Sequence, residues 1–86
     1  MSIRMQVFDI LKYINGIVIY RNSTKVVKEI WKVYQIGNDI FLGEFIEMLR
    51  KQVNQKTIKE VRYIIEMDES KDKYDKEKIV KLLLER

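Results

Sequence analysis

The stretch TIKEVRYIIEM, Thr57–Met67, decides the fold, because it satisfies two incompatible periodicities. Wound as a helix, it turns Ile58, Val61, Ile64 and Ile65 to one side, the apolar stripe by which a helix docks on a core. Laid out as a strand, Val61–Met67 alternates well enough to pair with another extended segment. The four residues Thr57-Ile58-Lys59-Glu60 tip the reading toward helix. They have the form of a capping box, in which the Thr57 hydroxyl accepts from the Glu60 amide and the Glu60 carboxylate reaches back to the cap. A helix is therefore expected from Ile58. The strand stands as the alternative, and it moves the fold toward a winged helix.

Upstream, Asn38-Asp39 caps a helix running to about Gln52, with Phe41, Leu42, Phe45, Ile46 and Leu49 along one side and Val53 continuing it. Glu44, Glu47, Arg50 and Lys51 take the other side, and Glu47 and Lys51 form a favourable i, i+4 pair. Before that, Asn22-Ser23-Thr24 offers N-caps for a helix to about Ile36, whose inward face is Val26, Val27, Ile30, Val33 and Tyr34, with Trp31 at the margin. Gly37 is its natural stop. Downstream, Asp68–Asp72 reads as a charged turn, and Lys73–Glu85 as a last helix docking through Ile79, Val80, Leu83 and Leu84.

The first quarter carries its own ambiguity. Ile3, Val7, Ile10, Leu11 and Ile14 share a helical face, so Asn15-Gly16 is expected to end a helix, although Asn-Gly between apolar runs also marks a hairpin. Ile17–Tyr20 is a β-branched run whose only partner in the sequence is Val61–Met67. The fold expected is a mainly α, compact single domain over residues 1–86, with four to five helices in a helix-turn-helix or winged-helix-like arrangement. The strand alternative adds a small two-stranded β element from 17–20 and 61–67.

Composition narrows the chemistry. Histidine and cysteine are both absent, which removes disulfides, thiol nucleophiles, the usual zinc sites and the commonest proton-transfer side chain. No catalytic, cofactor or metal signature is present, a chain of 86 residues has little volume for a pocket, and enzyme function is the weakest class. No apolar run approaches the roughly 20 residues of a membrane span, and MSIRMQVFDI lacks the h-region of a signal peptide, so the expected compartment is the cytoplasm. Proline and alanine are also missing while isoleucine and lysine abound, the habit of an AT-rich genome or of a thermophile.

Net charge is +4, and its distribution is uneven. Residues 1–36 carry Arg4, Lys12, Arg21, Lys25, Lys28 and Lys32 against Asp9 and Glu29, an excess equal to the whole imbalance. Arg21, Lys25, Lys28 and Lys32 are spaced i, i+4, i+7, i+11, one stripe opposite the apolar face, which can follow a phosphate backbone. The plainer reading of the stripe is the solvated face of an amphipathic helix.

A second polar group follows Asn54: Gln55, Lys56, Lys59 and Arg62 open the helix that starts near Thr57. Amides and cations at a helix N-terminus are the types that read base edges and phosphates in a helix-turn-helix, although this junction lacks the small residue and turn glycine of that motif. Its plainer reading is a polar surface turn with a good cap. Glu66, Asp68, Glu69, Asp72 and Asp75 do not follow a calcium-loop spacing and read as solvated charge. Tyr20, Trp31 and Tyr34 are the candidate interface residues, against the plainer reading of core aromatics, and a homodimer is expected because so small a core is thin.

Two functions from different classes follow. The first is a small basic regulatory protein that binds double-stranded DNA. The second is a non-enzymatic protein-interaction module, a dimeric adaptor or inhibitor of the kind mobile elements encode.

Overall fold

The structure, a computed structural model, describes residues 22–85. The expectations for the helix over 3–14, for Asn15-Gly16, for the strand at 17–20, and for Tyr20 and Arg21 as site residues lie outside the described residues. Within them the chain forms four helices, α1 Ser23–Ile36, α2 Asp39–Gln52, α3 Gln55–Met67 and α4 Lys73–Leu84, and no strand. None is long and apolar enough to cross a membrane.

Each helix starts on the same chemistry. Asn22, Asn38, Asn54 and Asp72 sit in extended backbone, and each side-chain oxygen accepts from an amide of the first turn, Lys25, Phe41, Thr57 and Tyr74 respectively, at 2.7–3.0 Å. Those bonds satisfy donors that a helix leaves orphaned, and each is worth about 1 kcal/mol. Gly37 ends α1 at φ +80°, a left-handed backbone that L side chains rarely adopt, and its amide donates to the Tyr34 carbonyl at 3.1 Å.

The deciding stretch is helical throughout, which overturns the strand alternative at 61–67, and with it the two-stranded element of 17–20 with 61–67 from which the winged-helix arrangement is expected. Period two would bury Tyr63 with Val61 and Ile65. Instead Ile58, Val61 and Ile65 are buried, while Tyr63 is 64% exposed and Arg62 lies in water. Packing of one helical face outweighs the β preference of the branched residues.

The start of that helix also differs from the expectation. It begins at Gln55 on the Asn54 cap, so Thr57 is a buried residue of the first turn. The Glu60 carboxylate does not close a capping box: it accepts from the Ser23 hydroxyl of α1 at 2.6 Å, joining two helices. At the other end of the chain α4 stops at Leu84, with Glu85 as its C-cap.

Helix α1 packs against α2 and α3, and α4 closes the group by packing against the same two helices. Ile30, Val33, Phe45, Val61, Ile65 and Ile79 are wholly buried, so all four helices feed one core. Burying each such side chain contributes about 1.5–3 kcal/mol before entropy is counted. Polar ties add orientation at the edges. Tyr34 of α1 donates to Asp75 of α4, and Lys78 of α4 donates to Asp39 at the start of α2 at 2.8 Å.

Candidate nucleic-acid interface

Only Val53 and Asn54 separate α2 from α3. Val53 is buried and its amide donates to the Leu49 carbonyl at 2.9 Å, while Asn54 turns at once to cap α3. So short a joint sets the end of α2 and the start of α3 on one depression of the surface, although the two helices pack against α1 and α4 more than against each other. Between them, and reaching to the end of α4, runs a groove of about 910 Å³.

Arg50 and Lys51 line the groove from α2, and Gln55, Lys59 and Arg62 line it from α3. Ile58, Leu82 and Leu83 add apolar lining from α3 and α4. Four cations thus line one concavity with only two carboxylates, Glu47 and Glu85. Two of the cations have intrahelical partners: Lys51 is 3.4 Å from Glu47, and Arg62 donates to Glu66 at 2.7 Å. All four of these side chains are substantially exposed, so each pair is worth only about 0.3–0.5 kcal/mol and exchanges readily for a phosphate.

Of the residues singled out in the sequence, Gln55, Lys59 and Arg62 come together in this groove. Lys56 is exposed on the same helix but does not line it. Lys25, Lys28 and Lys32 lie exposed along α1 and are not among its lining residues. Their stripe also contains a carboxylate: Glu29 is only 5% exposed and accepts from Lys32 at 3.0 Å. Arg50 and Lys51 were legible only as the polar side of α2. Their place opposite Lys59 and Arg62 depends on the two-residue joint, whose signal in the sequence is a basic helix end running through Val53-Asn54 into a basic helix start.

The aromatic candidates hold the chain to itself. Trp31 and Tyr34 are half-buried against the core and meet edge to face, with centroids 5.6 Å apart and planes at 74°. Lys71 Nζ stands 5.1 Å from the centre of the Trp31 ring, and Lys78 Nζ 5.8 Å from that of Tyr34. The Tyr34 hydroxyl donates to the Asp75 carboxylate, and that bond, with burial and the negative charge of Asp75, pushes the phenol up to about 12. Trp31 Nε1 is buried and meets no acceptor among the described residues.

The acidic set disperses into local duties. Glu66 holds Arg62, Asp72 caps α4 and Asp75 accepts from Tyr34. Asp68 accepts from the hydroxyl and the amide of Ser70, which lowers its carboxyl from the ordinary value. Lys78 is shifted the opposite way, its ammonium raised by the hydrogen bond to Asp39. Among the described residues no group of three or more ligating side chains is placed to hold a metal ion.

Comparison with protein-family models, with curated proteins and with solved structures gives no match.

Proposed function

We propose that this chain is a small basic regulatory protein that binds double-stranded DNA, with the α2–α3 corner as its contact surface. The observation that carries the reading is the convergence of Arg50, Lys51, Lys59 and Arg62 on one groove beside the exposed amide of Gln55. Cations on two walls can neutralise phosphates on either side of a backbone, and a glutamine side chain between them can donate to and accept from a base edge. In a helix-turn-helix use of this corner, α3 is the groove-reading helix and its exposed Gln55, Lys56, Lys59 and Arg62 face the duplex. The exposed Lys25, Lys28 and Lys32 of α1 extend the electrostatic attraction without base contact.

The protein-interaction reading draws support from a different observation, the exposure of Ile40, Tyr63, Met67, Tyr74 and Leu84, each more than half accessible. Scattered singly, such residues are ordinary surface. The test of the DNA reading is anisotropy of a labelled duplex titrated with the protein, in parallel with the Lys59→Glu, Arg62→Glu variant. Loss of binding with an unchanged thermal melt supports the corner, and retained binding refutes it.

A further inference from the structure

Helix α4 is anchored by its inner face, where Ile79 and Leu83 are buried. Its outer row is Lys73, Glu77, Lys81 and Glu85, one residue every four, all exposed and of alternating sign. Apolar side chains accompany the row: Tyr74 is 69% exposed and Leu84 52% exposed. Val80 and Leu84 also line a concavity of about 770 Å³ between α4 and Glu66 of α3, with lysines and glutamates at its margin.

We infer that this face of α4 is where a second copy of the chain docks, the two α4 helices running antiparallel across a two-fold axis that passes between Glu77 and Lys81. The order of charges selects that arrangement. Reversing the row on itself sets Lys73 opposite Glu85 of the second copy and Glu77 opposite its Lys81, and the axis repeats both pairs. Every charge in the row then meets its opposite. The same register brings Tyr74 over Leu84 of the second copy, twice, so the two most exposed apolar groups of the helix cover each other. A parallel pairing instead puts like against like at all four positions, which costs association. An interface of this isologous kind uses one patch for both partners.

Within the monomer these charges are weakly committed. The Lys73–Glu77 pair is long, 3.9 Å, with side chains 88% and 67% exposed, so little is lost when Lys73 turns to the second copy. The proposed dimer forms through α4, a surface other than the one offered by Trp31 and Tyr34, which make intrachain contacts.

The experiment is sedimentation equilibrium of the whole chain without DNA, at concentrations up to about 200 μM, a range that captures micromolar dimers. Wild type is expected to sediment as a monomer–dimer equilibrium. Lys81→Glu sets carboxylates against each other at both symmetry-related positions and should weaken the dimer about tenfold or more. Glu77→Lys combined with Lys81→Glu restores opposite charges across the axis and should recover association, a rescue that a purely structural effect on α4 does not produce. A strictly monomeric wild type, a dimer indifferent to Lys81→Glu, or a double variant no tighter than the single one would each overturn the inference. Both positions are exposed, and a far-ultraviolet spectrum identical to wild type verifies that the variants remain folded.

Discussion

Replacing Lys59 and Arg62 by the shorter, polar and uncharged glutamine removes half of the groove's cations, and its consequence for DNA binding can be worked out in advance. Each phosphate neutralised on B-DNA contributes about −0.9 to the slope of log affinity against log salt, so Arg50, Lys51, Lys59 and Arg62 together give about −3.6. Over a rise from about 50 to about 200 mM salt that slope means a loss of roughly 150-fold, whereas two remaining contacts give about −1.8 and roughly 12-fold. Loss of the exposed Arg62–Glu66 pair changes fold stability by only about 0.3–0.5 kcal/mol, so the variant should melt close to wild type. Anisotropy titrations of a labelled random duplex at four salt concentrations measure both slopes. A companion variant, Lys25→Gln with Lys28→Gln, reads the contribution of α1: a steeper wild-type slope that this pair flattens would put α1 on the duplex as well. If the wild-type slope is steep and the Lys59, Arg62 variant leaves it untouched, the corner is not the phosphate surface and the reasoning fails.

Ile65→Ala, at a wholly buried position of α3, should cost about 2–5 kcal/mol of unfolding free energy in a urea titration, whereas Tyr63→Ala on the exposed side of the same helix should cost well under half as much. Asn54→Ala removes the cap of α3 and should cost about 1 kcal/mol, while Thr57→Ser, which the expected capping box would tolerate equally, leaves the Asn54 bond in place. Gly37→Ala forces a Cβ into backbone at φ +80° and should destabilise by about 1 kcal/mol despite open space around the added methyl group. An ultraviolet titration should resolve one phenol ionising at about 12 that is missing from Tyr34→Phe. The folded state holds that proton more tightly than the unfolded chain, whose phenol has the ordinary value of 10.0, so the Tyr34–Asp75 contribution to stability is complete below that pH and drains away as pH rises through about 12. Melting temperatures of wild type and Tyr34→Phe should accordingly converge across that interval.

Helices α1 and α2 were legible almost to the residue, because the cap-forming residues offered for each, Asn22-Ser23-Thr24 and Asn38-Asp39, lie side by side at the start of a long 3.6-residue period with no competing periodicity. The α3 segment was harder for an identifiable reason. Asn54 and Thr57 are both cap-forming residues three apart, and local chemistry cannot choose between a helix capped at one and a helix boxed at the other. The choice is made from outside the segment: Ser23 of α1 takes the Glu60 carboxylate that a box requires, and the core takes the Thr57 side chain. The same dependence hid the groove. Arg50, Lys51, Lys59 and Arg62 are each visible as exposed cations on their own helices, yet their meeting is a property of a two-residue joint and of the way α4 docks against both α2 and α3.

That division also explains why the surface of so small a chain can carry charge at such density. Helix α3 buries Thr57, Ile58, Val61 and Ile65, with Ile64 packed beside them, a strip along one side, and the rest of its circumference carries only light ties, Glu60 to Ser23 and Arg62 to Glu66. Helix α4 fully buries Ile79 and Leu83, with Val80 and Leu82 packed beside them and Asp75 and Lys78 tied to α1 and α2, which leaves its Lys73–Glu77–Lys81 face outward. Substitutions on the outer faces of these two helices should therefore perturb binding or association without perturbing the fold, whereas an exchange at Lys32 of α1, or at Lys71 over its Trp31 ring, reaches the buried Glu29 or the edge-to-face Trp31–Tyr34 pair, which leaves the exposed Lys25 and Lys28 as the positions for charge changes on α1. Stability and recognition are separable in this molecule where a helix is held by its narrowest strip, and it is on those helices that charge reversals give a clean answer.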